Sequence, residues 1–312
     1  MISFRYHVVS LTVVFLALAV GVVLGSTALS DRLLSGVSGD RSALRQEVTS
    51  LQEGNNALRM QLADAERFAV SMGPTIVRGA LDQRSVVLIT VDGADPADRE
   101  AVIELLREAG ATLTGEVQLT DTFTDPAHAD QLRELVTRLL PAGVQLPTET
   151  DPGTLAGGLI GPLVLVDRET GQPRASAEEV TAALRGLSEG GFVRVGEGLQ
   201  PAQLVVILTG GAYAGDEAAD RAATVARFAV QVERAGAGGV LAGRAGSADG
   251  TGAVGVVRAD SAATSTLSTV DNVHTTAGRV VTVLALRDEV DGRSGKYGTA
   301  GNAQAPAPEP AG

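Results

Sequence analysis

The 312-residue chain contains no cysteine and no tryptophan, and aromatic residues make up only 3% of it. The absence of cysteine excludes disulfides, thiolate metal sites and cysteine nucleophiles. Positive charge is also scarce, because Lys296 is the one lysine and 37 acidic residues outnumber 25 basic ones, for a formal net charge of −12. Nucleic-acid binding needs a basic surface that neutralises phosphates, so the composition excludes that class of partner.

The N-terminus contains a long run without charge. No Asp, Glu, Lys or Arg occurs from Val8 to Leu29, and about 20 helical residues suffice to cross a hydrocarbon core about 30 Å thick. We therefore predict a membrane anchor over residues 1–30. A cleaved signal peptide is the alternative, since Arg5 gives a basic start and Ser26 and Ala28 offer a cleavage pattern. The apolar stretch of a signal peptide is shorter, however, at about 7–15 residues.

Small residues recur within the predicted anchor. Ala17, Gly21 and Gly25 follow one another at intervals of four, so a helix places them on one face. Small residues there let two membrane helices approach closely, which predicts a membrane dimer face; alternatively, Gly and Ala are simply common in such helices. Arg5 precedes the span, and the positive-inside rule then predicts that the main domain lies outside the cytoplasm, in the cell envelope.

Residues 31–72 carry a heptad pattern, with gaps that alternate between four and three. The predicted seam consists of Leu44, Val48, Leu51, Asn55, Leu58 and Leu62. Leucine at d, a β-branched residue at one a position and asparagine at another favour a parallel two-stranded coiled coil. We therefore predict a stalk that forms a homodimer or pairs with another coiled-coil partner. The alternative is a single amphipathic helix packed on the following domain, with Asn55 facing solvent.

Beyond residue 73 the pattern changes to apolar runs alternating with amphipathic helices. The predicted strands are Val86–Val91, Thr112–Leu119 (an edge strand), Ile160–Val166, Phe192–Val195, Leu204–Leu208 and Gly239–Leu241. Helix starts are marked by Asp95 before Pro96, by Asp125 before Pro126 and by a capping box of Ser176 and Glu179.

Alternating strands and helices are typical of a parallel sheet covered on both faces. We therefore predict an α/β domain over residues 73–291, with a mainly parallel sheet of Rossmann-like or flavodoxin-like winding. Strand order is not readable from the sequence. Residues 292–312 are rich in Ala, Gly and Pro without apolar periodicity, which predicts a disordered tail.

Candidate ligand loops follow from the rule that parallel sheets bind ligands beyond their C-terminal strand ends. The candidates are Asp92, Asp167, the turn Gly210–Gly211, and the pair Asp271–Asn272. Clustered carboxylates bind Mg²⁺ or Ca²⁺, and a glycine turn can present N–H groups to a phosphate. Helix caps and tight turns are the alternatives, and composition favours a turn for Asp271–Asn272. No Ser/His/Asp grouping is legible, so the sequence predicts no catalytic site and no cofactor, and leaves any metal ligand unknown.

Several sequence blocks resemble one known family. The blocks are Met1–Leu11, Leu16–Gly21, Leu208–Gly211, Ser268–Asn272 and Gly295–Gly298. In this order, and over nearly the whole chain, they resemble the actinobacterial MctB family, the mycobacterial copper transport outer membrane protein type. The resemblance implies a role in copper homeostasis or export at the cell envelope. Some relatives are linked to envelope integrity and cell division with a membrane partner, which implies a scaffold as the alternative function.

The residues themselves offer copper few ligands. Copper(I) prefers thiolate or thioether ligands, and copper(II) prefers imidazole. The available residues are Met1, Met60, Met72, His7, His128 and His274, which are scattered along the chain. Copper is therefore expected only from the resemblance, and an effect on copper would be indirect or would need an oligomer or a partner.

Overall fold

The computed structural model describes residues 4–309 of the chain, and the side chains of residues 6–25 and 44–309. The parts of the predicted anchor, stalk and tail at residues 1–3 and 310–312, and the side chains at residues 26–43, lie outside the described residues. The chain divides into two compact units, Met1–Ala65 and Glu66–Gly312.

The helices are α1 Phe4–Val77, α2 Pro96–Glu108, α3 Asp121–Thr124, α4 Ala129–Arg138, α5 Pro152–Val164, α6 Ala177–Glu189, α7 Ala218–Glu233, α8 Ala253–Ala259, α9 Ser261–Thr264 and α10 Thr276–Val290. A short 3₁₀ helix, Pro126–His128, precedes α4. The strands are β1 Ser85–Thr90, β2 Thr112–Leu119, β3 Val193–Val195, β4 Leu204–Leu208, β5 Gly238–Ala242, β6 Ser268–Val270 and β7 Lys296–Tyr297.

The N-terminal part of α1 has the length and composition of a membrane span. Tyr6–Gly25 has a mean hydropathy of 2.7 over 20 residues, which is enough to cross a membrane. Ala17, Gly21 and Gly25 lie in this helix, and a Cβ added to either glycine would meet no other atom within 4 Å. Their face is therefore open, and the membrane dimer face remains a prediction.

The predicted stalk is helical throughout, because residues 31–72 belong to α1. The seam side chains of Leu44, Val48, Leu51, Leu58 and Leu62 are all exposed. Asn55 is exposed as well. An exposed apolar seam is the surface that a second helix would cover, and the coiled coil itself remains a prediction.

The described part of the chain forms one seven-stranded, mainly parallel sheet in the order β3-β2-β1-β4-β5-β6-β7. The first six strands follow the Rossmann order 3-2-1-4-5-6 rather than the flavodoxin order. Only β3 is antiparallel to its neighbour within this sheet. The sheet therefore confirms the predicted α/β class. It also places β2 inside the sheet and makes β3 the edge strand, so the prediction of an edge strand at Thr112–Leu119 is wrong.

The core lies on both faces of the sheet. Val87 and Ile89 of β1 point into the cluster that contains α5, α6 and α7. Val86 and Leu88 point into the opposite cluster with α2 and α10. Successive side chains of a strand alternate between faces, so an uninterrupted apolar run such as β1 is the pattern of a strand buried on both sides.

The predicted strand Ile160–Val166 is wrong, since most of this segment belongs to α5. Asp151 caps that helix by accepting a hydrogen bond from the Thr154 N–H at 2.9 Å, and α5 packs on α7. A Cβ on Gly157 would lie 2.8 Å from the Phe228 carbonyl oxygen. Short apolar runs do not distinguish a buried helix from a buried strand. The glycines at 153, 157 and 161, however, are spaced by four residues, which indicates a helix.

The segment after residue 292 also differs from the predicted disordered tail. Lys296–Tyr297 forms β7 and pairs with β6, and Ala305 bridges Tyr297. The Asn302 side chain accepts a hydrogen bond at 2.8 Å from the buried guanidinium of Arg258. Composition alone did not reveal this order, because it depends on buried partners supplied by distant parts of the chain.

Candidate functional site at the carboxyl edge of the sheet

Most of the predicted ligand loops meet at one edge of the sheet. Asp92 follows β1, Gly210 and Gly211 follow β4, and Asp271 and Asn272 follow β6. Because β1, β4 and β6 run parallel, their carboxyl ends lie along the same edge.

Asp167 is not part of this edge, because it follows helix α5 rather than a strand. Its carboxylate accepts a hydrogen bond from the Thr170 N–H at 2.8 Å and pairs with Arg174 at 2.7 Å. These bonds hold the pKa of Asp167 below its ordinary value. It is a turn residue, and its prediction as a strand-end ligand fails with the predicted strand before it.

The Gly210–Gly211 turn lies against neighbouring backbone. A Cβ on Gly210 would lie 2.7 Å from the Gly93 carbonyl oxygen, and a Cβ on Gly211 would lie 2.7 Å from the Ala245 carbonyl oxygen. Both positions therefore require glycine so that the loops after β1, β4 and β5 can touch. Backbone fills the space beside this turn, which favours the tight-turn alternative over a phosphate cradle.

Alternating charges connect the helices beside this edge. Arg244, which follows β5, pairs with Asp95 at 2.5 Å and with Asp98 at 3.2 Å. Arg279 of α10 pairs with the other Asp98 oxygen at 3.7 Å and with Glu66 at 3.6 Å. Three carboxylates and two guanidinium groups thus tie α1, α2, α10 and the loop after β5 together.

The two aspartates at the start of α2 differ in their environment. Asp95 caps the helix, and the bond from the Ala97 N–H is the main reason why its pKa is lowered. Asp98 is buried, and burial raises its pKa despite the opposing charges of Arg244 and Arg279. A Rossmann fold holds phosphate at this helix N-terminus. Here the Asp95 carboxylate already accepts the Ala97 N–H, and Asp95 and Asp98 both pair with Arg244. This arrangement disfavours a phosphate ligand.

Asp271 belongs to a buried ion pair. Arg258 of α8 donates to its Oδ2 at 2.7 Å, and the two side chains are 1% and 3% exposed. Arg258 also donates to the Thr269 hydroxyl at 3.0 Å and to the Tyr297 carbonyl at 2.6 Å. The Thr299 N–H donates to the Asp271 carboxylate at 2.8 Å. The Arg258 contact thus ties the end of β6 to α8, and the Thr299 contact ties it to the segment after β7.

The neighbouring Gly298 shows how closely this segment packs. Its φ angle is +131°, which favours glycine. A Cβ at this position would also overlap the Asp271 carboxylate. The blocks Ser268–Asn272 and Gly295–Gly298, which carry the family resemblance, thus form one buried structural unit. The arrangement favours a structural role for Asp271 over a ligand loop.

Residues that could bind copper are dispersed over the described part of the chain. The His128 Nδ1 lies 2.9 Å from the Asp125 carboxylate at the start of the 3₁₀ helix. His274 lies in the loop before α10, while Met60 and Met72 lie on α1. Among the described residues, no three His, Cys, Asp or Glu side chains cluster as metal ligands.

Two buried glutamates were not identified from the sequence. Glu233 ends α7 and is 2% exposed, while Glu289 near the end of α10 is 3% exposed. They lie at the amino end of β5, where a Cβ on Gly239 would be 3.3 Å from Glu233 Cγ. Burial raises the pKa of each carboxyl to about 7. Each lies in a helix at a position where the surrounding sequence does not indicate that the glutamate is buried.

A polar groove of 780 Å³ lies beside β2 and β3, on the side of the sheet that carries α2. Its charged and amide lining residues are Arg99, Glu100, Glu116, Gln118, Arg194 and Glu197. Arg99 pairs with Glu116 across it at 3.1 Å. The charges are mixed, so the groove selects neither anions nor cations by charge alone. The groove was not predicted from the sequence, because it depends on the position of the edge strand β3.

Comparison with known proteins gives one consistent family. Residues 1–308 match the family described as "Copper transport outer membrane protein, MctB". The chain is 39% identical over 304 residues to "Copper transporter MctB" of Mycobacterium tuberculosis H37Rv, and the alignment covers 96% of each chain. It is 38% identical over 306 residues to the protein of the same name from Mycobacterium leprae, again over 96% of each. The chain therefore belongs to the MctB family of copper transport outer membrane proteins.

Proposed function

We propose that this chain acts in copper homeostasis at the cell envelope as a membrane-anchored protein. The observation that carries the proposal is the similarity to proteins named copper transporters, at 38–39% identity over 96% of both chains. An alignment of that length includes the apolar span, the stalk and the α/β unit together. The expected role therefore rests on similarity over the full chain and not on similarity within a single domain.

Tyr6–Gly25 would anchor the chain, and the α/β unit would lie outside the cytoplasm. The support for the anchor is the mean hydropathy of 2.7 over 20 residues. The support for the orientation is Arg5, which precedes the span, under the positive-inside rule. Whether the segment is retained or cleaved is a separate prediction, and its length favours retention.

The stalk would join two copies of the chain in parallel. Its support is the exposed apolar seam, with Asn55 at one a position. Buried asparagines at matching a positions pair with each other in a parallel dimer and penalise other registers. Two N-terminal anchors in one membrane also require the helices to run in the same direction.

The effect on copper would be exerted by this assembly rather than by a copper centre within the α/β unit. The support is the donor set, because the chain has no cysteine and the candidate donors of the α/β unit, Met72, His128 and His274, lie on three separate segments. We also propose that the α/β unit is not an enzyme. The support is the carboxyl edge, where carboxylates, arginines and packed glycine loops occupy the usual ligand position.

An envelope scaffold is the second candidate function. The exposed seam and the mixed-charge groove beside β2 and β3 favour it, since both are surfaces suited to another protein. In that role the stalk would hold a membrane partner of the cell-wall assembly or division machinery. A seam substitution would then disturb envelope integrity while cellular copper stayed unchanged.

Copper content of cells distinguishes the two functions. A strain that lacks its own family member is complemented with this chain, challenged with copper salt, and assayed for total cell copper. We expect the native chain to restore a low copper content of the cells, because it resembles the family's copper transporters over nearly its full length. The seam variant, Leu51→Lys with Leu58→Lys, is expected to fail at equal membrane abundance.

The matched control is Met60→Lys, which changes a largely exposed residue off the seam and should complement fully. If the native chain leaves cell copper at the level of the deletion strain, the proposed copper function is wrong. Rescue of envelope integrity without rescue of copper would favour the scaffold.

A further inference from the structure

The α/β unit begins with the last three turns of α1, and one side of these turns is packed. The Glu66 carboxylate accepts a hydrogen bond at 2.8 Å from the Thr276 N–H at the start of α10. A Cβ on Gly73 would lie 3.0 Å from Val280, and Val77 is fully buried. Glu66, Gly73 and Val77 therefore form the side of the helix that contacts the rest of the unit.

A neighbouring side of the same turns carries large apolar residues that are largely exposed to solvent. Phe68 is 66% exposed, Met72 is 39% exposed and Ile76 is 52% exposed. Their spacing of four places them in one stripe along the helix. We call these three residues the base stripe.

Exposed large apolar side chains in this unit are confined to the end of α1, where Val70 is also 57% exposed beside the base stripe. Among the described residues from 77 to 309, no large hydrophobic side chain is comparably exposed. Burial of an apolar side chain stabilises an assembly roughly in proportion to the apolar area that it removes from water. An otherwise well-covered unit that leaves three such residues together in water therefore has a surface suited to a protein partner.

The spacing of the base stripe identifies the partner. The a positions Asn55 and Leu62 are followed, at intervals of seven residues, by Ala69 and Ile76. The d positions Leu58 and Ala65 are followed in the same way by Met72. Met72 and Ile76 thus hold d and a positions in the heptad register of the stalk, and Phe68 holds the adjoining g position. Residues in one unbroken register meet their own counterparts when two identical chains pair in parallel.

Charges beside the stalk seam favour that same arrangement. In a parallel pair, each g position faces the e position five residues further along the partner. Glu47 then faces Gln52, and Gly54 faces Arg59, so no like charges meet at these g and e positions. An antiparallel pair with Asn55 opposite Leu51 would instead place Arg45 beside Arg59, which is repulsive.

We propose that the base stripe is a self-association surface of the α/β unit, at which Phe68, Met72 and Ile76 pack against the same residues of a second copy. The proposal rests on parallel pairing of the stalk and extends it into the unit that carries the sheet. Pairing would then hold two α/β units next to each other instead of leaving them joined only through the stalk.

The absence of cysteine makes a clean test possible. Single-cysteine variants Met72→Cys and Ile76→Cys of the full-length chain are treated in membranes with a short bismaleimide and resolved by mass. Leu58→Cys reports the stalk, and Ser71→Cys is the matched control at an exposed c position. We expect most of the chain to form a dimer at residues 58, 72 and 76, and about a tenth or less at residue 71, since only a and d positions bring Cα atoms close.

Each other outcome has a defined meaning. Dimers at residue 58, with residues 72 and 76 no better than residue 71, would overturn the proposal and leave the paired stalk intact. A product whose mass is not twice that of the chain would identify a different partner and overturn it as well. If residues 58, 72 and 76 all fail, both the proposal and stalk pairing are wrong. Because these residues are exposed, the cysteines are not expected to disturb folding, which circular dichroism checks.

Discussion

Replacing Asp271 by alanine is expected to lower the free energy of unfolding by about 3–5 kcal/mol, because the buried Arg258 guanidinium then has no counter-charge. The pair is almost completely inaccessible to water, at 1% and 3% exposure. The N–H groups of Thr299 and Ala300 also lose their acceptor. The loss would therefore extend beyond the ion pair to the attachment of the C-terminal segment.

The measurement is denaturant unfolding of the full-length chain in detergent, followed by circular dichroism because the chain has no tryptophan. Asp216→Ala is the control, since Asp216 is exposed and such changes usually stay within about 0.5 kcal/mol. A loss for Asp271→Ala that matches the control would contradict the structural role of the Arg258 network.

The buried pair of Glu233 and Glu289 is expected to make the chain less stable as pH rises. Burial raises the pKa of each from an ordinary value of 4.5 to about 7. The unfolded chain therefore releases these protons at lower pH than the folded chain does. The stabilising contribution is complete below pH 4.5, declines as pH rises, and is lost above about pH 7.

We expect the free energy of unfolding to fall by about 3 kcal/mol between pH 5 and pH 8. This is half of the fall that would result if the raised pKa of each of the two carboxyls acted in full. The double variant Glu233→Gln with Glu289→Gln should lose this fall and be more stable than the native chain at pH 8. Carboxyls with lowered pKa values, such as Asp95 and Asp167, titrate below this window.

Denaturation midpoints at several pH values, with urea as denaturant, provide the measurement. The exposed Glu217→Gln change is the control and should keep the native pH dependence. An identical slope in the native chain and the double variant would mean that the two buried carboxyls ionise as freely in the folded chain as in the unfolded one.

Local physical chemistry predicted the elements whose signals are contained in a few residues. Asp95 caps α2 and Pro96 takes its first position, as the sequence indicates. The capping box of Ser176 and Glu179 forms with both of its hydrogen bonds. Continuous apolar runs predicted β1 and β4 because strands inside a parallel sheet are buried on both faces.

Elements defined by distant neighbours could not be predicted in this way. The edge position belongs to β3, which returns antiparallel to β2 after four α-helices and one 3₁₀ helix. The run Ile160–Val166 predicts a strand only because its apolar residues fit a buried strand as well as a buried helix. The spacing of four between the glycines at 153, 157 and 161 favours the helix over the strand, and these glycines let α5 pack closely on α7.

The candidate site was predicted only in part. The strand-end rule brought Asp92, Gly210 and Asp271 to the same edge, where the structure places them. Their surroundings were missed, because they depend on pairings between remote residues. Arg244 and Asp95, for example, are 149 positions apart in the chain. No local pattern identifies such a pair, so the sequence did not show that cations and packed glycines occupy this edge.

The mass of the detergent-solubilised full-length chain tests most directly whether the chain pairs through its stalk. Sedimentation equilibrium, with the detergent contribution matched by solvent density, should give twice the 31.8 kDa protein mass of one chain. The seam variant with Leu51→Lys and Leu58→Lys should give the mass of one chain, while Met60→Lys should remain a dimer. A single-chain mass for the native protein at all concentrations would contradict the account.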